Sequence, residues 1–237
     1  MYQSVGSLVG PAFLTYSDVG LLGPVSHRPS VQSPIKGWSG LAKRTIDVAG
    51  ALILLAIVLL PILFAMLLIR LETSGPALFR QHRIGFGNTG FGMWKLRTMH
   101  QHAPEEGRLV QATRNDRRVT RVGRWLRRLS IDEWPQLLNV LLGEMSLVGP
   151  RPHAPGTCAG ATPFELVTPQ YSARHRVRPG MTGLAQVRGL RGETETERKL
   201  LQRIAADLEY IEHWSVWLDV KILTRTGVSL FTTRNAY

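Results

Sequence analysis

The sequence predicts an α+β protein seated on one leaflet of a membrane: a proline-kinked re-entrant helix, interfacial amphipathic helices and a small mixed domain at the cytoplasmic face. Three observations carry that expectation. Residues 48–69 form an uncharged apolar run of about 22 residues, roughly 33 Å as a straight helix and long enough to reach across a bilayer. Pro61 interrupts the run. Beyond it the chain becomes strongly basic, with arginines set around apolar stripes of helical period. The expected division is a flexible leader (1–40), a re-entrant membrane helical hairpin (41–72) and a cytoplasmic-face domain with interfacial helices (73–237), the whole a monotopic membrane protein.

The leader is rich in Gly, Ser and Pro and poor in charge, the composition of a loosely ordered segment. It does not read as a secretory signal, because Lys36, Lys43 and Arg44 come late and no h-region and cleavage site follow in order. Pro61 divides the apolar run into arms too short to span separately. Lys36, Lys43 and Arg44 precede the run and Arg70, Arg80 and Arg83 follow it. The positive-inside tendency would hold both flanks in the cytoplasm, so the chain is expected to enter and leave by the same leaflet.

Residues 120–129 (TRVGRWLRRL) place Val122, Trp125, Leu126 and Leu129 on one helical face, ringed by Arg121, Arg124, Arg127 and Arg128. That is the pattern of a helix lying at the headgroup level. Residues 211–231 repeat the theme with Trp214, Trp217, Leu218, Ile222 and Leu223, a stripe that would serve a core equally well.

Lys+Arg 29 against Asp+Glu 17 leaves a net charge of +12 and a pI near 10.8, which points to an anionic partner: nucleic acid, lipid headgroups or a phosphorylated substrate. The single cysteine, Cys158, excludes an internal disulfide framework and suits a reducing compartment. No Cys/His cluster has zinc spacing.

Against that basic background, SIDEWPQLL sets Asp132 and Glu133 side by side. With Asp132 as N-cap, Pro135 falls harmlessly in the first turn of a helix from about Glu133 to Leu142, stopped by Gly143. On local grounds capping explains the acids better than catalysis. The surroundings shift that balance. GPRP fixes Arg151 between two prolines, WKLRTM would put Lys95 and Arg97 on one strand face, and RHRVRPGMTG brings Arg174, Arg176 and Arg178 to a Pro-Gly turn. Together with a carboxylate pair they describe a phosphoryl-transfer site: a nucleophile, a place for Mg²⁺, and cations for the migrating charge.

The ordered set KRTIDVAG, SGPALFRQHRIGFG, FGMWKLRTM, DRRVTRVGRWLRRLSIDEWPQLLNVLLGEMSLVGPRP, VRPGMTGLAQVRG and DLEYIEHWSVWLDVKIL resembles the monotopic polyprenyl-phosphate phosphoglycosyl transferases, a bacterial sugar transferase family. The resemblance implies transfer of a sugar-1-phosphate from a UDP-sugar to undecaprenyl phosphate with release of UMP, on the cytoplasmic face of the bacterial inner membrane. That would be a first membrane step in exopolysaccharide, capsule or O-antigen synthesis. It further implies Asp132 as covalent nucleophile, Glu133 with Asp132 as holders of Mg²⁺ (Mn²⁺ tolerated), Arg127 and Arg151 as phosphate ligands, and Pro61 as the membrane kink. The C-terminal wording is most similar to members that use UDP-glucose. Partners are then the donor, the acceptor and inner-membrane lipids, with no nucleic acid; a homo-oligomer is left open. Residues 1–40 supply none of the several spans that many members carry, so a short form is expected, and Glu144 stands where many have Asp. The rival reading, a membrane-tethered basic binder of anionic lipid or nucleic acid, has no use for acids amid its arginines.

Overall fold

The computed structural model describes residues 33–100, 116–192, 194 and 196–231. Most of the expected leader therefore lies outside the described residues. Helix α1 (Gly37–Glu72) leads into an antiparallel hairpin, β1 (Leu78–Ile84) with β2 (Gly90–Leu96). Next come α2 (Arg121–Arg128), a 3₁₀ turn (Ile131–Glu133), α3 (Gln136–Leu142) and β3 (Ser146–Val148). The small hairpin β4 (Cys158–Ala159) and β5 (Thr162–Pro163) precedes α4 (Phe164–Val167). Strand β6 (Gly180–Thr182) pairs in parallel with β3, and α5 (Leu184–Val187), α6 (Glu197–Glu212) and α7 (Val216–Phe231) complete the mixed fold.

The apolar run is one helix that continues through Pro61, not two separate arms. A proline removes one ladder bond, and a helix of 36 residues has flanking turns on both sides to carry the loss. Lys43, Asp47, Ala51, Leu55, Val58, Ile62, Ala65 and Ile69, spaced by three and four, form the stripe that turns toward the rest of the protein. The other faces expose Leu52, Ile53, Ile57, Leu60, Leu63, Phe64, Leu67 and Leu71. Only 17% of the most apolar window is buried, which separates this helix from the core helix of a globular protein.

Both ends of α1 are fastened to the same body. Near its start, Lys43 Nζ donates to Asp219 Oδ2 at 2.8 Å and to the Val148 carbonyl at 3.1 Å. Asp47 Oδ1 accepts from Ser146 Oγ and from the Leu147 amide, both at 2.9 Å. Tyr210 Oη and Trp214 Nε1 close the network around Asp219. At its far end, Glu72 accepts the amides of Arg121 (2.7 Å) and Val122 (3.1 Å), capping α2, while Arg97 donates to the carbonyls of Thr73, Ser74 and Gly75.

The apolar face expected of residues 120–129 is divided by packing. Leu126 is fully buried with Ile62, Ala65, Ile69 and Ile131, and Val122 packs beside it, whereas Trp125 is 50% exposed and Leu129 also faces outward. In the last helix Ile222 belongs to the core and Trp217 is 80% exposed, so that stripe is core with one outward tryptophan.

Candidate active site

The acid pair lies in the short passage between α2 and α3. Ser130 adopts the left-handed region (φ 56°, ψ 23°), which costs a non-glycine residue about 1–2 kcal/mol and folds 131–133 into a 3₁₀ turn. Buried Ile131 anchors that turn in the cluster around Leu126. The α-helix begins only at Gln136, with Pro135 at the cap position, and Gly143 ends it in the left-handed region (φ 83°). The expected N-cap role of Asp132 is therefore not found: Ser130 and Pro135 hold the cap positions, and the Asp132 side chain makes no capping hydrogen bond among the described residues.

Helix α3 is held from both sides. Asn139, wholly buried, accepts the Trp94 amide (2.9 Å) and donates to the Gly92 carbonyl (2.8 Å) and Glu144 (2.6 Å), tying the helix to β2. Arg44 donates to the last carbonyls of the helix, Val140 at 2.6 Å and Leu141 at 2.8 Å. Two of the basic residues flanking the apolar run, Lys43 and Arg44, are thus consumed inside the fold.

Glu133 is gripped by cations. Lys95 Nζ approaches Oε1 at 3.2 Å, and Arg151 spreads its two terminal nitrogens over both carboxylate oxygens, one at 3.0 Å. Burial by itself would raise this carboxyl, but Arg151 and Lys95 overcome it and hold the group well below the usual carboxylate range. Asp132 stands in the opposite condition. It is 8% exposed and its carboxylate accepts no hydrogen bond among the described residues. Burial, then the neighbouring Glu133 charge, lifts it from 3.8 to about 6, with Lys95, Arg127 and Arg151 only partly opposing the rise. Adjacent carboxylates whose environments drive them apart are the usual sign of divided roles: one fixed charge and one reactive group.

Arg127 donates Nε to Thr98 Oγ1 at 2.9 Å, its side chain makes no other hydrogen bond among the described residues, and its charge acts on both Asp132 and Asp116. The loop of Arg151 is set by β3 and β6: the Gly149 amide donates to Thr182 (2.8 Å) and the Gly180 amide to Pro150 (2.9 Å). Gly149 is required there, since a Cβ would lie 2.5 Å from the Arg178 carbonyl. Arg174, 2% exposed, sits behind this loop. It pairs with Asp207 at 2.5 Å, donates to the Arg151 carbonyl at 2.8 Å and contacts His153 Nδ1, so it positions Arg151 from within the core.

Of the residues picked from sequence, Asp132, Glu133, Lys95, Arg127 and Arg151 converge. Arg97 does not join them: it follows the last residue of β2, where strand alternation no longer governs direction, and clamps the end of α1. Arg178 is exposed and lines a separate pocket of about 220 Å³ with Lys43, Arg44, Asp47 and Phe86. Arg83, read only as a flanking cation, comes to lie near Arg151 and Glu133. No group of three or more His, Cys, Asp or Glu among the described residues forms a metal cage. Asp132 offers oxygens free of hydrogen bonds among the described residues, and Mg²⁺ is commonly held through one or two carboxylates with substrate phosphates and water completing the shell; Glu133 would share with it the oxygens that Arg151 and Lys95 already hold.

The sequence profile of the family described as bacterial sugar transferase matches residues 38–233. Similar proteins include the UDP-glucose:undecaprenyl-phosphate glucose-1-phosphate transferase of Caulobacter vibrioides, 57% identical over 199 residues, covering 83% of this chain and 72% of the relative. The undecaprenyl-phosphate glucose phosphotransferase of Komagataeibacter xylinus is 50% identical over 216 residues, 91% of this chain and 40% of the relative. A third, the UDP-glucose:undecaprenyl-phosphate glucose-1-phosphate transferase of Escherichia coli K12, is 43% identical over 210 residues, 88% and 44%. The chain thus spans less than half the length of the last two.

Proposed function

The chain belongs to the bacterial sugar transferase family, and from that premise we propose that it transfers a hexose-1-phosphate, glucose-1-phosphate foremost, from a UDP-sugar to undecaprenyl phosphate and releases UMP. The observation that carries the reading is Asp132: a buried residue whose carboxylate has no hydrogen bond among the described residues, set amid cations beside a second carboxylate that Arg151 and Lys95 engage. A structural acid would be paired or capping; this one is kept uncommitted.

An oxygen of Asp132 attacks the sugar-bearing phosphorus, the bond from that phosphorus to the UMP oxygen breaks, and an aspartyl phosphosugar remains. Undecaprenyl phosphate then attacks the same phosphorus through an anionic oxygen, so no general base is needed, and the bond to Asp132 breaks to restore the carboxylate. Division into two steps lets a water-soluble donor and a lipid acceptor use one site in turn. Arg127, Arg151 and Lys95 bind and orient phosphate oxygens, with the guanidinium forks giving bidentate contacts. Asp132 and Glu133 would hold Mg²⁺, or Mn²⁺ in its place, which when bound supplies positive charge that offsets repulsion between carboxylate and diphosphate.

The site is read as lying on the cytoplasmic face of the inner membrane. One body grips α1 at Lys43 and at Glu72 and packs along the stripe between them, an arrangement that supports monotopic seating with the exposed leucines in lipid. The test is release of UMP from a panel of UDP-sugars by membranes containing the protein, with Mg²⁺ and undecaprenyl phosphate. Sugar-dependent UMP release that Asp132→Asn abolishes is expected; a protein that binds lipid and releases none would be the basic binder instead.

A further inference from the structure

We propose that Arg83 is a second phosphate ligand for the donor, taking the nucleotide-side phosphate on the Glu133 flank of the acid pair; the inference rests on the transferase reading above. The hairpin register comes first. Phe79 lies opposite Lys95, Gln81 opposite Met93 and Arg83 opposite Phe91. Directly opposed residues share a face and alternate ones return to it, so Arg83 and Lys95 project from the same side of the hairpin. Arg80 and its partner Trp94, stacked at 4.3 Å, mark the other side. Lys95 reaches Glu133, so the face that carries Arg83 looks onto the acid pair. The end of β1 is also joined to the Arg151 loop, where the Ile84 amide donates to the His153 carbonyl at 3.1 Å.

The guanidinium is held but underused. It donates once, to Gln81 Oε1 at 2.5 Å, and its Nε is buried with no partner among the described residues. Among the described residues it forms no ion pair of its own, and Glu133, the acid whose charge reaches it, is already shared with Arg151 and Lys95. Arg83, Lys95, Arg151 and Arg127 gather around the two carboxylates of Asp132 and Glu133, which leaves an excess of positive charge for an anion to neutralise.

The second phosphate is assigned to this flank by where the acceptor must come from. Arg127 stands on the Asp132 side, on α2, which packs against α1 and turns Trp125 and Leu129 outward. An acceptor phosphate arriving from lipid meets that side. A diphosphate whose sugar-bearing phosphorus rests on Asp132 then extends its other phosphate past Glu133, toward Arg83.

The experiment measures UMP binding by calorimetry in Mg²⁺, and steady-state kinetics, on the full chain in nanodiscs, for wild type, Arg83→Gln and Arg83→Lys. Loss of a charge-assisted fork should weaken UMP binding about tenfold or more in Arg83→Gln and raise the KM for UDP-sugar similarly, with the KM for undecaprenyl phosphate within about twofold of wild type. Arg83→Lys, which keeps the charge and guards against misfolding of the glutamine variant, should weaken UMP by about threefold or more. UMP affinity within about twofold of wild type in a folded Arg83 variant overturns the assignment, as does a change confined to the acceptor. A wild type that binds UMP yet releases none from any UDP-sugar defeats the transferase reading itself and leaves the anion site standing.

Discussion

Asp132→Asn should abolish turnover and, at neutral pH, make the protein more stable. Raising a carboxyl from 3.8 to about 6 means that the folded state disfavours its ionised form by about 3 kcal/mol. The penalty arises from burial first and from the Glu133 charge second, and both act only on the anion. Below the unfolded value the group is neutral in both states and the penalty is absent; it grows between about pH 4 and 6 and is complete above pH 7. Asparagine keeps the size and removes the charge, but its buried amide also lacks partners, which costs about 1–2 kcal/mol at every pH. A net gain of about 1–2 kcal/mol is therefore expected at pH 7.5, and about 2–3 kcal/mol of the difference between the two proteins should disappear by pH 4. At about 2–4 °C per kcal/mol for a chain of this size, the Tm difference should change by about 5–10 °C between those conditions. Thermal unfolding of both proteins in the same detergent, at pH 7.5 and pH 4, measures it. A Tm difference that does not move with pH refutes the claim that Asp132 is held as a disfavoured anion.

The same ionisation governs rate: release of UMP without acceptor should be level above pH 7 and decline as pH falls through about 6, whereas an unchanged rate down to pH 5 would contradict Asp132 as the attacking group. Arg151→Lys retains charge but loses the fork on Glu133, so activity should drop about tenfold or more in a folded, membrane-bound protein, and wild-type kinetics would remove the clamp from the account. Lys43→Met strands Asp219 in the core and should cost about 3–5 kcal/mol; Asp219→Leu in the same chain should recover part of it, and a Tm that the double variant fails to improve would show that the pair is not what fastens α1. With Cys158 replaced by Ser, cysteines introduced near residues 40 and 75 should label from the same side of the membrane; labelling from opposite sides would mean that α1 crosses.

Local chemistry was legible in the sequence where neighbours in the chain are neighbours in space. Asp132-Glu133, the rigid Arg151 and the apolar run could be read because each acts within a short segment. The Lys43–Asp219 pair could not, since its members are 176 residues apart and a flanking lysine looks the same whether it faces headgroups or a buried carboxylate. Arg97 misled because alternation predicts direction only while the strand lasts, and β2 stops one residue earlier. The late start of α3 follows from the left-handed Ser130, a conformation that a serine does not advertise. Helical period marked Val122, Trp125, Leu126 and Leu129 as one apolar face but could not say that α1 would cover half of it.

The covalent step is tested most directly by incubating the purified protein with UDP-glucose and Mg²⁺ in the absence of undecaprenyl phosphate, quenching in acid, and taking the intact mass while counting released UMP. One hexose phosphate per chain is expected, located on Asp132 by peptide mapping, matched by one UMP and discharged when the acceptor is added. An enzyme that gains no mass, and that releases UMP only when acceptor is present, would contradict the covalent step.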